Sequence, residues 1–285
     1  MSKINLQQIA IEEVGEVPSK VPGCLEDLKC WLTKQSHFRC RLDDEFLLQF
    51  LRGCRYDVEK VKRKLQNFYT FKTLCPDYFG TVNVNRHKFR QMHDIGSICI
   101  LPKPLSEVGP RIVFYRYLYS LEFMEEAIEV CLATLETLIV SDPHACICGV
   151  VYIFDMSDIT MNHILAYTPD VLKKLSIFYE KVIPFQTKGF YFMNVPEFAE
   201  NFFNLYLPSL SEELRESVFV CGQNITHITD KIPLKYLPKE YGGENGCLRD
   251  LLKEFHTVWN KHSEYFLENH KFGIKADLRW QVVSP

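Results

Sequence analysis

The side chains best placed for chemistry follow a short apolar run, Gly149 to Phe154, after which come Asp155, Ser157 and Asp158. Carboxylates and a hydroxyl at the carboxyl end of a buried strand occupy the place where α/β enzymes keep acid–base and nucleophilic groups. The same residue types cap helices, so Asp155 and Asp158 read equally as caps. His144, His163 and His227 have no partner at ligand spacing and read as structural or surface histidines. Eleven cysteines, an odd number without regular spacing and with only a CxC pair at Cys146 and Cys148, predict buried reduced thiols rather than disulfides or zinc. None of the GxSxG, P-loop, HExxH or GxGxxG patterns occurs. The expectation is a protein that is not an enzyme and holds no metal and no cofactor.

The elements that would position these residues alternate. Leu25, Leu28, Trp31 and Leu32 repeat at helical spacing; Asp43 or Asp44 can cap a helix through Phe46, Leu47, Phe50 and Leu51 that Gly53 would stop; Asp57 caps a third with Val58, Val61, Leu65 and Phe68 inward. Residues 21–76 are therefore expected as a three-helix bundle, behind a loose arm or short docked helix at 1–20. Strands are expected at Ile98–Leu101, Arg111–Tyr117, Gly149–Phe154, Gly189–Met193 and Val218–Cys221, with helical periods between them. That alternation predicts an α/β fold with a mostly parallel sheet and covering helices. An amphipathic helix through Leu248, Leu252, Phe255, Trp259 and Phe266 closes the chain at 247–285.

Net charge is −3 and the pI about 6.3, so no basic field invites nucleic acid. No apolar run approaches the roughly 20 residues that span a bilayer. A soluble cytoplasmic protein with peripheral membrane contact, monomeric, is expected.

The apolar inventory carries more than the polar one. Tyr152 and Phe154 alternate on one strand; Tyr167, Leu175, Phe178 and Tyr179 follow on a helix; Ile183, Phe190 and Phe192 come next. These residues either pack a solid core or line a cavity for a long apolar ligand. The segment NVPEFAENFFNLYLPSL then places Phe198, Phe202 and Leu205 on one helical face and Phe203, Tyr206 and Leu207 on the adjacent arc. It is a core helix or a lid, the lid able to meet a membrane when it opens.

The succession GVVYIFDMSDITMNHILAYTPDVLKKLSIFYEKVIPFQTKGFYFMN, VFVCG and LPKEYGGENG, with DDEFLLQFLRGCRYDVEKVKRKLQNFY before it, resembles the CRAL-TRIO (Sec14-like) lipid-transfer family on its tocopherol-transfer and retinaldehyde-binding branch. The resemblance covers most of residues 24–268 and implies a CRAL-TRIO lipid-binding domain at 77–246. It implies pocket residues at Phe154, Tyr167, Leu175, Phe178, Tyr179, Ile183 and Phe190, and a bound hydrophobic molecule of the tocopherol or retinoid class. Aromatic bulk at Tyr167, Phe178 and Tyr179 leans towards a retinoid or carotenoid-like ligand. The family's phosphoinositide cleft falls on Cys54, Arg63, Gln186, Lys188 and Glu213, of which two are cationic. Arg55, Arg63, Lys188 and Arg215 are thus expected to give weak electrostatic help, with phosphoinositide control doubtful; the alternative functions are a membrane-associated phospholipid or phosphoinositide sensor or adaptor and, less favoured, a lipid-modifying enzyme with Asp155 or Asp158 in the reaction.

Overall fold

The computed structural model describes residues 5–76, 82–106, 108–222 and 225–275. The first four residues of the expected arm, the boundary after residue 76 and the tail beyond 275 lie outside the described residues. The arm is a docked helix: α1 (Leu6–Val14) sets Ile9, Ala10 and Val14 against Ile147 and Cys148. Behind it, buried Glu16 takes two hydrogen bonds from Arg52, at 2.8 and 3.2 Å, and one from the Tyr56 hydroxyl.

Short polar caps start the bundle helices. After α2 (Val21–Thr33), Asp43 accepts from the Phe46 amide at 3.1 Å and opens α3 (Asp44–Gly53). Asp57 accepts from the Lys60 amide at 3.0 Å and opens α4 (Val58–Leu74). Leu28, Leu32, Phe46, Phe50, Val61, Leu65 and Phe68 close their common core. Gly53 does not stop α3 as its position suggests. It lies inside the last turn, where a Cβ would sit 2.4 Å from the Pro184 carbonyl oxygen, so glycine is required by close approach. The chain leaves α3 through Arg55 and Tyr56, both at positive φ.

A two-residue strand, β1 (Phe38–Arg39), precedes the main sheet, and α5 (His87–Ile95) leads into it. The sheet runs β2 (Ile98–Ile100), β3 (Arg111–Arg116), β4 (Val150–Asp155), β5 (Thr187–Met193), β6 (Val218–Val220), in that spatial order. Only β2 is antiparallel. The register puts Tyr115, Phe154 and Phe192 abreast in one row and Val113, Tyr152, Phe190 and Val218 in the next. Phe114, Val151, Ile153, Tyr191 and Met193 point to the other face, where Ile228, Ile232, Leu237 and Leu248 cover them. Both faces are buried, which is why the strands read as nearly continuous apolar runs.

Between β3 and β4 run α6 (Met124–Ser141) and α7 (Pro143–Cys148). Between β4 and β5 run α8 (Met161–Ala166), α9 (Pro169–Ile177) and a single π turn over Phe178–Val182. Then come α10 (Glu197–Tyr206) and α11 (Glu212–Glu216) before β6, and α12 (Ile225–Thr229) after it. The last helix, α13 (Leu248–Glu268), buries Trp259 and Phe266 and returns the chain to β7 (Gly273–Ile274), which pairs with β1.

Two buried cations tie this frame together. Lys72 Nζ lies 2.8 Å from Glu136 Oε2, and the Tyr265 hydroxyl and Asn269 Nδ2 donate to Glu136 Oε1 at 2.7 and 3.1 Å, joining α4, α6 and α13. Lys64 Nζ donates to the carbonyls of Glu180 and Ile183 and holds the π turn on α4.

Glu136→Ala strands the Lys72 ammonium and is expected to cost about 3–5 kcal/mol in urea unfolding. Replacing both partners by apolar residues, Lys72→Met with Glu136→Leu, should recover most of that; a loss equal to the single variant's would show that the pair is not the cause. Burial lowers the Lys64 pKa from 10.5 to about 8. Below about pH 8 the ammonium is charged in both states and folding bears the full desolvation cost, which fades as pH rises to 10.5. Buried thiols such as Cys99, Cys131 and Cys146, pushed up by burial, act in the opposite sense, their contribution being lost as pH rises above about 9. Subtracting Lys64→Met stability from wild type cancels the thiols, and the difference should rise by about 3 kcal/mol between pH 7.5 and 10.5. A flat difference would contradict a buried charged Lys64.

Candidate functional site

Above the first row of the sheet lies a cavity of about 170 Å³. Its floor is Tyr115, Phe154, Phe190 and Phe192; Ile128, Cys131 and Leu132 of α6 form one wall, and Ile164, Tyr167, Leu172, Leu175, Ser176 and Tyr179 the other. Phe202, Phe203 and Tyr206 of α10 roof it, with Leu210, Leu214 and Val218 at one end.

Parallel register dictates the floor. Tyr115 stacks on Phe154 with centroids 4.5 Å apart and planes 6° from parallel, and Phe154 stacks on Phe192 at 4.7 Å and 14°. Phe203 meets Phe192 edge-on at 4.7 Å, which fastens α10 to the floor. Apart from Arg116, whose guanidinium donates to the Gly96 carbonyl, the polar side chains paired around the cavity are hydroxyls: Tyr115 to Tyr179 at 3.3 Å, Tyr119 to Tyr167 at 3.4 Å, and Tyr206 to Ser176 at 2.7 Å. Burial raises the pKa of every one of these tyrosines, so they are neutral donors near pH 7.

Among the residues singled out from the sequence, Phe154, Tyr167, Leu175, Tyr179, Phe190 and Phe192 line this cavity, as do Phe202, Phe203 and Tyr206. Tyr152, Phe178 and Ile183 do not. Tyr152 is fully buried in the second row, stacked on Phe190 at 5.0 Å. Phe178 begins the π turn and faces Phe71 of α4, 6.2 Å away, beside a separate small void. Ile183 is core, its carbonyl held by Lys64. On the roof, Leu205 is 82% exposed and Phe198 38%, so Leu205 does not share the inward face with Phe202. Leu207 packs in the small cluster that includes Ile159, Val195 and Phe203. The sequence reading missed Tyr115, Tyr117 and Tyr119, whose spacing of two along and beyond β3 was the available signal.

Asp155 is a structural group. Its Oδ1 accepts from the Ser157 amide (3.1 Å), the Ser157 hydroxyl (2.6 Å) and Asn194 Nδ2 (2.8 Å), and its Oδ2 accepts from the Tyr241 hydroxyl. Asp158 is exposed, and α8 is capped by Thr160, with His163 closing the capping box. His163 also bonds the Tyr119 carbonyl and His144 the Gly109 carbonyl, while His227 bonds the Cys221 carbonyl. The Tyr241 ring lies 4.8 Å from Phe114, which explains the YGG turn: Gly242 has φ 80°, and a Cβ on Gly243 would sit 2.0 Å from the Leu237 carbonyl oxygen.

Arg55, Arg63, Lys188 and Arg215 are all exposed. Arg63 acts on Cys54, whose neighbour Lys64 already feels Glu180 and Glu213; Lys188 bonds Gln186. Acidic groups are thus interleaved with the cations.

Two domain families match the sequence: the CRAL/TRIO domain over residues 110–243, and the Pinta-like UBA domain over residues 17–89. The alpha-tocopherol transfer protein-like protein of Homo sapiens is 26% identical over 243 residues, covering 84% of this chain and 70% of that one. Clavesin-2 of Homo sapiens is 25% identical over 272 residues, covering 92% and 82%. The solved structure of Sfh5 aligns with a TM-score of 0.47 and 12% identity over 88% of this chain and 92% of that one. The CRAL/TRIO match takes in β3 to β6, the aromatic floor, the α10 roof and the Tyr241 turn, and by it residues 110–243 form a CRAL/TRIO domain.

Proposed function

We propose that this chain is a carrier that takes a hydrophobic small molecule from a membrane, holds it in the cavity above β3–β5 and returns it when α10 opens. The observation that carries the reading is an apolar cavity roofed by a helix that is apolar on both sides. Phe202 and Phe203 face inward, while Leu205 and Phe198 face out. Beside α10, α8 also turns apolar side chains outward, Leu165 at 69% and Met161 at 48% exposed. Docking therefore begins with Leu205, Phe198, Leu165 and Met161; Phe202 and Phe203 follow only once the roof lifts. No Lys or Arg occurs in α8 or α10, and α10 opens on Glu197 and Glu200, so electrostatic attraction to anionic lipid contributes little here. No helix among the described residues is long and apolar enough to cross a membrane.

The ligand is of the retinoid, carotenoid or tocopherol kind, and the relatives whose name speaks of tocopherol transfer support carriage of that class. Burial supplies its affinity at about 25 cal/mol per Å² of apolar surface, and a tyrosine hydroxyl orients its polar end. At about 170 Å³ the closed cavity is smaller than the ~300–1,000 Å³ usual for such ligands, so loading dilates it.

The test is transfer of retinaldehyde and of α-tocopherol between phosphatidylcholine vesicles, with native mass spectrometry of the protein to count bound ligand. Stoichiometric loading and protein-dependent transfer are expected. Leu165→Asp with Leu205→Asp should lower vesicle affinity about tenfold or more while the protein still loads ligand from detergent solution. Wild-type vesicle affinity in that double variant, or a requirement for phosphoinositide in the vesicles, would overturn the docking scheme. Failure of both compounds to bind would overturn the carrier itself.

A further inference from the structure

Away from the cavity, three metal-ligating side chains meet where α5 packs on α13. His93 and Asp94 lie in the last turn of α5 and His256 on α13. Each brings one ligand atom, and the three atoms lie within 4.8 Å of one another. Hydrogen bonding assigns the lone pairs. His93 is 2% exposed, and its Nε2 lies 3.0 Å from the Leu252 carbonyl oxygen. A carbonyl only accepts, so Nε2 carries the proton and Nδ1 keeps a bare lone pair. That Nδ1 is buried and has no hydrogen-bond partner among the described residues. Burial also lowers the pKa of His93, so the ring is neutral near pH 7. An imidazole that donates one N–H to a backbone carbonyl and leaves its other nitrogen unprotonated is in the form that binds metal ions.

The other two ligands are already joined by a proton. Arg90 Nη1 lies 3.0 Å from His256 Nδ1, and a guanidinium only donates, so Nδ1 accepts. The His256 proton therefore sits on Nε2, 2.6 Å from Asp94 Oδ1. A metal ion replaces that proton and takes the nitrogen and the carboxylate oxygen as ligands. Atoms about 2.0–2.2 Å from a tetrahedral zinc ion are about 3.3–3.6 Å apart. The widest pair has to close by about 1.5 Å at most. His93 is fixed, but the His256 and Asp94 side chains are 31% and 55% exposed, free to make that movement and to leave a fourth position to water. Arg90 is the charge that opposes the ion. Its Nε and Nη2 donate to the Val84 carbonyl, Asn85 and Asn260, so the guanidinium stays in place and weakens the site without filling it.

We propose that His93, Asp94 and His256 bind one zinc ion, which clips α5 to α13. Two imidazoles and one carboxylate suit zinc better than the oxygen-seeking ions magnesium and calcium. Spacing along the chain, which predicts no metal, misses the site because its ligands stand on helices far apart in sequence. The site is independent of the carrier reading.

The test titrates Zn2+ into the tag-free full chain by calorimetry, in two buffers of different ionisation enthalpy so that released protons are counted. Expected are one zinc per chain, about one proton released with it, and a melting temperature raised by Zn2+ but not by Mg2+ or Ca2+. Cys30 is an exposed thiol that could also take zinc, so Co2+ is titrated as a second probe. Its visible d–d absorption should appear without a thiolate charge-transfer band. His256→Gln and Asp94→Asn alter partly exposed side chains, and each should weaken zinc by about tenfold or more. Zinc binding that survives both substitutions unchanged belongs to the thiols and overturns the site. No binding by the wild-type chain overturns it too, and leaves the three residues as a hydrogen-bonded contact between the helices.

Discussion

A buried carboxylate has to be satisfied, and the ends of β4 and β5 depend on how Asp155 is satisfied. Leaving an ionised group without partners in the interior costs several kcal/mol. Here its four donors come from three places: the turn after β4, Asn194 after β5, and Tyr241 on the returning C-terminal segment. Asn194 accepts positive φ to reach it. The two strand ends are thereby held level, and α8 and α10 leave the sheet from fixed points. With the ends level, Phe154 stands beside Phe192 and Tyr115, and the aromatic floor exists. The carboxylate that looked most catalytic in the sequence is what positions the cavity.

Much of the frame was legible because its causes are local or periodic. The apolar run before Asp155, the caps at Asp43 and Asp57 and the heptad-like face of α13 each follow from spacing, and the structure has those elements. The cavity was less legible, since an aromatic residue looks alike in sequence whether its neighbour is another ring or a void. Phe178 shows why. Helical period places it with Leu175 and Tyr179, but it lies on the side of that helix packed on α4, facing Phe71 and sharing with Leu175 the separate small void rather than the cavity. Ile183 went the same way, because Lys64, distant in sequence, claims the backbone around it. The second row held Tyr152 for a third reason: it stacks on Phe190 and lies fully buried.

Along α10 one helix serves two apolar environments. Its inner aromatic side is bound to the floor through Phe203 on Phe192, and its outer side leaves Leu205 almost wholly in solvent. An exposed leucine is ordinary by itself. Four large apolar side chains on two packed helices form one exposed surface. On the carrier reading, burying that surface docks the closed protein, and only the inner side chains Phe202 and Phe203, which reach lipid once the roof lifts, can bias it towards the open form.

Cys131 would give the proposed opening of α10 a readout that the chain already carries. Cys131 borders the cavity and is half-buried, and desolvation pushes its thiol up to about 12, so in the closed protein it is protonated near pH 7. Cys30, by contrast, is exposed. On the carrier reading, an alkylating reagent would mark surface thiols in a rapid phase and reach Cys131 in the fraction of molecules that are open. Because Cys54, Cys99, Cys146, Cys148 and Cys221 are buried as well, the modification of Cys131 has to be followed on its own peptide, and its rate then reports the opening equilibrium multiplied by the reactivity of a free thiol.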